Sequence, residues 1–194
     1  MARIDPRIRC GSVPPREDAA ARTLYLLRHA KSSWDDPTLA DRDRPLAPRG
    51  LRAGKAIASW VSAHGVAPDL VLCSPATRTR ETLELVAAGF PAERPPRVAY
   101  EAGIYGGSAA ELLAILGRAP GPDRSVMLVG HQPAMQDLAL LLVGEEGGRE
   151  RLEGKFPTGA LATLEVRVPW PELRAGCARL AAYVKPRELE RATG

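Results

Sequence analysis

The sequence predicts a single α/β domain, a three-layer sandwich whose mostly parallel sheet carries helices on both faces. Three observations predict it. Short apolar runs without flanking polarity alternate with stretches of helical period along residues 23–166, the order from which layered α/β domains are built. The 194 residues suffice for one substantial core. Three polar clusters fall just after apolar runs, where open α/β sheets bind their ligands.

Each element has its own signal. Thr23–Leu27 (TLYLL) reads as a central parallel strand, apolar on both faces. Pro48 opens a helix, and Leu51, Ala53, Ala56, Ile57, Trp60 and Val61 give it an apolar face until Gly65. Asp69–Cys73 (DLVLC) is the second strand and Thr77–Ala88 the helix after it. Arg97–Tyr100 reads as a short strand. Ser108–Leu116 is a helix with Ser108 as N-cap and Glu111 at the capping-box position. Ser125–Val129 (SVMLV) is a further buried strand, Pro133–Val143 a helix, and Ala160–Val166 an alternating last strand expected at an edge. The domain therefore spans 23–184. Residues 1–22, rich in Pro and charge, are expected to form a flexible N-terminal extension, and 185–194 a C-terminal tail.

Composition narrows the function classes. A hydrophobic fraction of 45% with 26% charged residues is that of an ordinary globular protein. No apolar run approaches a membrane span. The first 22 residues lack an apolar core and do not read as a signal peptide, so a cytoplasmic location and no membrane partner are expected. The net charge of +4 sits mostly in the ends: five Arg against three acids in 1–22, three bases against two acids in 185–194. Without a basic stripe interleaved with aromatics, no nucleic-acid partner is expected. Cys10, Cys73 and Cys177 are far apart and form neither a zinc pattern nor a disulfide framework. Cys73 closes an apolar strand and reads as a small core residue.

The clusters at the strand ends are Arg28-His29, Ser74–Arg80 and Gly130-His131-Gln132. They are remote in sequence, but the topology brings them to one rim. Guanidinium groups bind phosphate oxygens through a planar fork and stay charged. The same positive field disfavours a metal, so neither metal nor cofactor is expected. Arg78 lies in the first turn of its helix, where backbone N–H groups and the helix dipole add to anion binding. One histidine can attack phosphorus as a neutral imidazole while the other donates to the equatorial oxygens. His64, beside Gly65 at a helix end, reads as a capping or solvated residue.

The motifs on this rim resemble those of a known family. Leu27-Arg28-His29-Ala30 looks like the nucleophile motif of the histidine phosphatase superfamily, which includes phosphoglycerate mutases and SixA-type phosphohistidine phosphatases. Residues 28–35 resemble its longer signature Arg-His-Gly-x-Ser-x-Trp-Asn, and Pro45-Leu46 with Gly50 resemble the element that follows. Ser74-Pro75, Arg78 and Thr82 match Ser-Pro-x-x-Arg-x-x-x-Thr, and Gly130-His131 match the second histidine motif. Four elements in the right order make the likeness specific. Two positions depart from it: Ala30 stands for the family's Gly, and Asp35 for the Asn of the mutases.

The resemblance implies a phosphoglycerate mutase-like fold and a phosphatase, closest to the SixA type, that forms a phosphohistidine on His29. It implies that Arg28, Arg78 and His131 clamp the phosphate, and that Ser32 adds a hydrogen bond. Glu101 in Tyr-Glu-Ala-Gly-Ile-Tyr-Gly is the nearest match to the family's general acid, one residue further from Tyr105 and Gly106 than in the mutases; a surface role is equally open to it. Arg80 is open to a rim position or a solvated one. The implied partner is a phosphohistidine-bearing protein or a small phosphate ester. The rival readings are a small-metabolite phosphomonoesterase or mutase of the same superfamily, and a non-catalytic phospho-ligand binding module.

Overall fold

The computed structural model describes residues 21–192. Apart from Ala21 and Arg22, the expected N-terminal extension lies outside the described residues. Strand β1 (Arg22–Arg28) leads through a long loop to α1 (Pro48–Ala63), then β2 (Leu70–Cys73), α2 (Thr77–Ala87), β3 (Arg97–Tyr100), α3 (Ala109–Gly117), β4 (Ser125–Gly130) and α4 (Ala134–Leu142). A short α5 (Glu150–Glu153) precedes β5 (Leu161–Val166), β6 (Ala178–Val184) and α6 (Pro186–Ala192).

The six strands form one mixed sheet in the order β3-β2-β4-β1-β5-β6. The pairs β3–β2, β2–β4 and β4–β1 are parallel, whereas β5 runs antiparallel to β1 and to β6. This corrects one expectation. Ala160–Val166 is not at an edge: β5 lies inside the sheet, and the edge is β6, a strand not read in the sequence. The alternation in β5 arises because Thr163 and Glu165 interrupt its apolar residues, and Glu165 is paired by Arg179 of β6 at 2.6 Å.

Successive side chains of a strand point to opposite faces, and both faces are apolar here. Leu24, Leu26, Val126 and Leu128 pack with Leu112 and Leu116 of α3 and with Met135 and Leu138 of α4. Leu27, Val71, Cys73, Met127 and Val129 pack on the other side with Ile57 and Val61 of α1 and Leu83 and Val86 of α2. The result is an α/β sandwich with helices on both faces. Leu189 of α6, in the stretch expected as a tail, joins the second layer.

Local signals behave as their chemistry requires. Ser108 Oγ accepts from the Glu111 N–H, and the Glu111 carboxylate accepts from the Ser108 N–H, completing the capping box. The buried face of α1 is rotated from the expected one: Gly50, Ala53, Gly54, Ile57 and Val61 are inside, while Leu51 is exposed. The cause is close packing of α1. A Cβ on Gly54 would lie 2.6 Å from Leu85 of α2, and one on Gly50 would lie 2.2 Å from the Lys31 carbonyl.

Candidate active site

The parallel pair β1–β4 aligns Arg28 with Gly130, so His29 and His131 emerge side by side where the two strands end. The His29 N–H donates to the Gly130 carbonyl, and the Gly159 N–H closes over the carbonyls of Arg28 and His29. Gly159 has φ 79°, a conformation that favours glycine. Ala30 replaces the family's Gly without strain, since no described non-glycine residue has positive φ and its methyl packs against Leu46 and Ala53. The Ala30 N–H donates to Thr82 Oγ1 at 3.0 Å, which ties the loop after β1 to α2.

The rings of His29 and His131 stand 5.1 Å apart. His29 is buried, and its Nδ1 lies 2.7 Å from the Ala30 carbonyl. A carbonyl only accepts, so Nδ1 carries the proton and Nε2 keeps a free lone pair. Burial lowers the His29 pKa to about 3; the Ala30 hydrogen bond opposes this, and the charges of His131, Arg78 and Arg28 reinforce it. Burial also lowers His131, to about 4, with Arg78 next in effect, Asp41 opposing and Arg28 adding. Both rings are neutral at physiological pH. His131 Nε2 is 2.8 Å from Ser74 Oγ, and its Nδ1 is 3.5 Å from Arg78 Nη2.

The arginines converge on the same ground. Arg78 is buried, and donates through Nη2 to the Asp41 carboxylate at 2.8 Å and through Nη1 to the Asp41 carbonyl. Arg28 donates to the Phe156 carbonyl at 2.6 Å, while its buried Nε has no partner among the described residues. A buried guanidinium N–H without an acceptor is costly unless an anion supplies one.

Other expected positions resolve differently. Ser32 is buried, and its Oγ accepts from Arg44 Nη2 at 3.1 Å. Glu101 follows β3 on the rim, fixed by its N–H to the Cys73 carbonyl, but its carboxylate has no hydrogen bond or ion pair among the described residues. Asp35 is exposed, with its N–H on Ser33 Oγ at 3.0 Å. Arg80 is exposed, 5.6 Å from the Tyr100 ring. His64 caps α1, with Nδ1 on the Trp60 carbonyl at 2.8 Å and its ring stacked on Trp60. Cys73 is buried, and burial pushes its thiol up to about 12, which makes it inert. Among the described residues, no three of His, Cys, Asp or Glu converge as metal ligands.

Three residues were missed by sequence reasoning. Asp41, in the 3-10 turn Asp41–Asp43, binds Arg78, accepts from Arg44 Nη1 at 2.9 Å and from the Tyr105 hydroxyl at 3.0 Å. Arg44 is buried, with its guanidinium 3.2 Å over the exposed Trp34 ring. Tyr105 meets His131 edge-on at 5.4 Å. The available signal was Arg44 directly before Pro45-Leu46, an arginine beside a matched motif element.

The model of the histidine phosphatase superfamily (branch 1) matches residues 24–100. An uncharacterized protein of Mycobacterium tuberculosis is 37% identical over 165 residues, covering 83% of this chain and all of the relative. The structure assigned as phosphohistidine phosphatase SixA of Nakamurella multipartitia is 32% identical, with a TM-score of 0.76 over 87% of this chain and 98% of that one. The corresponding protein of Agrobacterium tumefaciens is 31% identical, with a TM-score of 0.74 over 87% and 100%. This chain belongs to the histidine phosphatase superfamily. It is a phosphatase of that superfamily, on the phosphoglycerate mutase-like fold.

Proposed function

We propose that this histidine phosphatase hydrolyses phosphohistidine on a partner protein through a phosphoenzyme on His29. The observation that carries the mechanism is the neutral His29 ring, its proton fixed on Nδ1 by the Ala30 carbonyl and its Nε2 free. Nε2 attacks phosphorus, a P–N bond to His29 forms, and the P–N bond of the substrate breaks with its electron pair returning to the substrate ring. Arg28, Arg78 and His131 hold the equatorial oxygens, and the approach of a dianion draws His131 toward its protonated, donating form. Water then displaces His29 and releases phosphate. Guanidinium charge does the work that a metal ion would otherwise do.

The position of the expected acid supports this substrate class. Glu101 is not engaged with either histidine, and an alkoxide leaves poorly without a proton. An imidazole leaving group can arrive protonated near neutral pH. The small-ester reading depends on Glu101 turning in from the rim, and the non-catalytic reading is opposed by a free nucleophilic nitrogen on His29. Free, buried Cys73 and Cys177 fit a reducing compartment, in keeping with a cytoplasmic site of action without nucleic acid or membrane as partner.

The test compares kcat/KM for a phosphohistidine-bearing carrier domain with a panel of phosphate monoesters. Higher efficiency on the carrier domain is expected. Faster turnover of any metabolite ester, or complete loss of carrier-domain activity in Glu101→Gln, overturns the reading in favour of a small-molecule phosphatase.

A further inference from the structure

Asp41 places a carboxylate on the solvent side of the phosphate clamp. Its side chain is 56% exposed, against 9% for the Arg78 side chain beneath it. It is held from three directions, by Arg78 of α2, Arg44 at the end of the same loop and the Tyr105 hydroxyl beyond β3. His131 lies within its electrostatic reach. Burial pushes the Asp41 carboxyl up, but the hydrogen bonds of Tyr105 and Arg78 and the charges of Arg78 and Arg44 outweigh it and keep the group ionised.

An in-line displacement puts the leaving group opposite the attacking atom. His29 is buried at the end of β1, so the leaving group faces the solvent side, where the half-exposed Asp41 carboxylate is joined to His131 through Arg78 Nη2. Resting on the phosphohistidine reading above, we infer that Asp41 is a specificity-determining residue: its carboxylate accepts a hydrogen bond from the N–H of the substrate imidazole, at the nitrogen that carries no phosphorus.

The chemistry balances without a proton transfer. With that nitrogen protonated, the substrate ring is a phosphoimidazolium. The His29 Nε2–P bond forms, the substrate P–N bond breaks, and its electron pair neutralises the ring, which departs as imidazole with its N–H still on Asp41. A carboxylate beside the ring favours the cationic form, as the aspartate of a serine protease triad favours imidazolium. An alkyl ester offers no N–H. Its leaving oxygen gains negative charge opposite a carboxylate that has no proton to give. One residue thus favours one substrate class and penalises the other.

Asp41→Asn keeps the shape and an oxygen acceptor for Arg78. It is to be assayed on the phosphohistidine-bearing carrier domain and on phosphoserine, from pH 6 to 9. On the carrier domain, kcat/KM should fall by about tenfold at pH 8, the effect of losing roughly one pKa unit from the substrate ring, and by little at pH 6, where solvent protonates that ring. Phosphoserine turnover should rise, and Asp41→Glu should restore part of the carrier-domain rate at pH 8. Equal loss on both substrates would overturn the inference and leave Asp41 as a support for Arg78. Equal gain would also overturn it, showing a carboxylate that competes with phosphate. A wild-type enzyme that prefers phosphoserine is a different result, and refutes the phosphohistidine reading itself.

Discussion

In the proposed mechanism, what suits His29 to the role of nucleophile is where its proton is. With Nδ1–H on the Ala30 carbonyl and the pKa at about 3, the ring needs no deprotonation at neutral pH. His29→Ala should fold, trap no acid-labile phosphoenzyme and show no turnover; recovery of label on His131 would reassign the nucleophile. The pH dependence of stability follows with a definite sign. Both histidines have folded pKa values of about 3 and about 4, below the ordinary 6.5, so between those values the unfolded chain binds more protons than the native one. Stability therefore declines as pH falls from about 7 toward 4. Denaturant titration of the wild type and His131→Gln across that range should give a shallower decline in the variant. The convergence of Arg28, His29, Arg78 and His131 on one rim was legible because each stands next to a strand end or in a helix's first turn, positions that periodicity locates. Asp41 and Tyr105 were not, because the path of an irregular loop leaves no periodic trace.

At the scale of elements, the site depends on how α1 and α2 approach the loop after β1. Thr82 Oγ1 accepts from the Ala30 N–H and donates to the Arg78 carbonyl at 2.6 Å, one hydroxyl joining the segment after His29 to the helix that carries Arg78. Thr82→Val leaves a buried N–H without a partner, at a cost of about 1–3 kcal/mol. Both the melting temperature and kcat should fall; an unchanged kcat would show that the loop holds its place without α2. Gly50 is a second joint. Its substitution by Ala drives a methyl into the Lys31 carbonyl, and thermal denaturation should show a loss of about 1–3 kcal/mol, the usual range for overpacking. The central strands were legible because they are apolar on both faces. β6 was not, because exposed Arg179 interrupts its short apolar run and only pairing with β5 defines it.

For the molecule as a whole, positive charge is supplied by covalently attached guanidinium groups. Activity should therefore survive exhaustive chelation; loss of activity that a divalent ion restores would refute this. Arg78→Ala should cost ~3–4 kcal/mol of transition-state stabilisation, as for other preorganised charge contacts, and a fall of under tenfold would place Arg78 outside the phosphate site.

The register that sets Arg28 opposite Gly130 acts as a gauge for the chemistry. Adjacent strands keep a spacing of about 4.7–4.9 Å whatever the loops beyond them do, so the separation of the two histidines is inherited from the hydrogen-bond ladder itself. Slippage by one residue would turn a histidine to the opposite layer, so the ladder admits no intermediate setting. The crossover segments are free of that constraint. Insertions in the stretch between β1 and α1, or between β3 and β4, could enlarge, roof or reshape the mouth while phosphoryl transfer continues underneath, which makes these two segments the natural places to graft a new substrate preference.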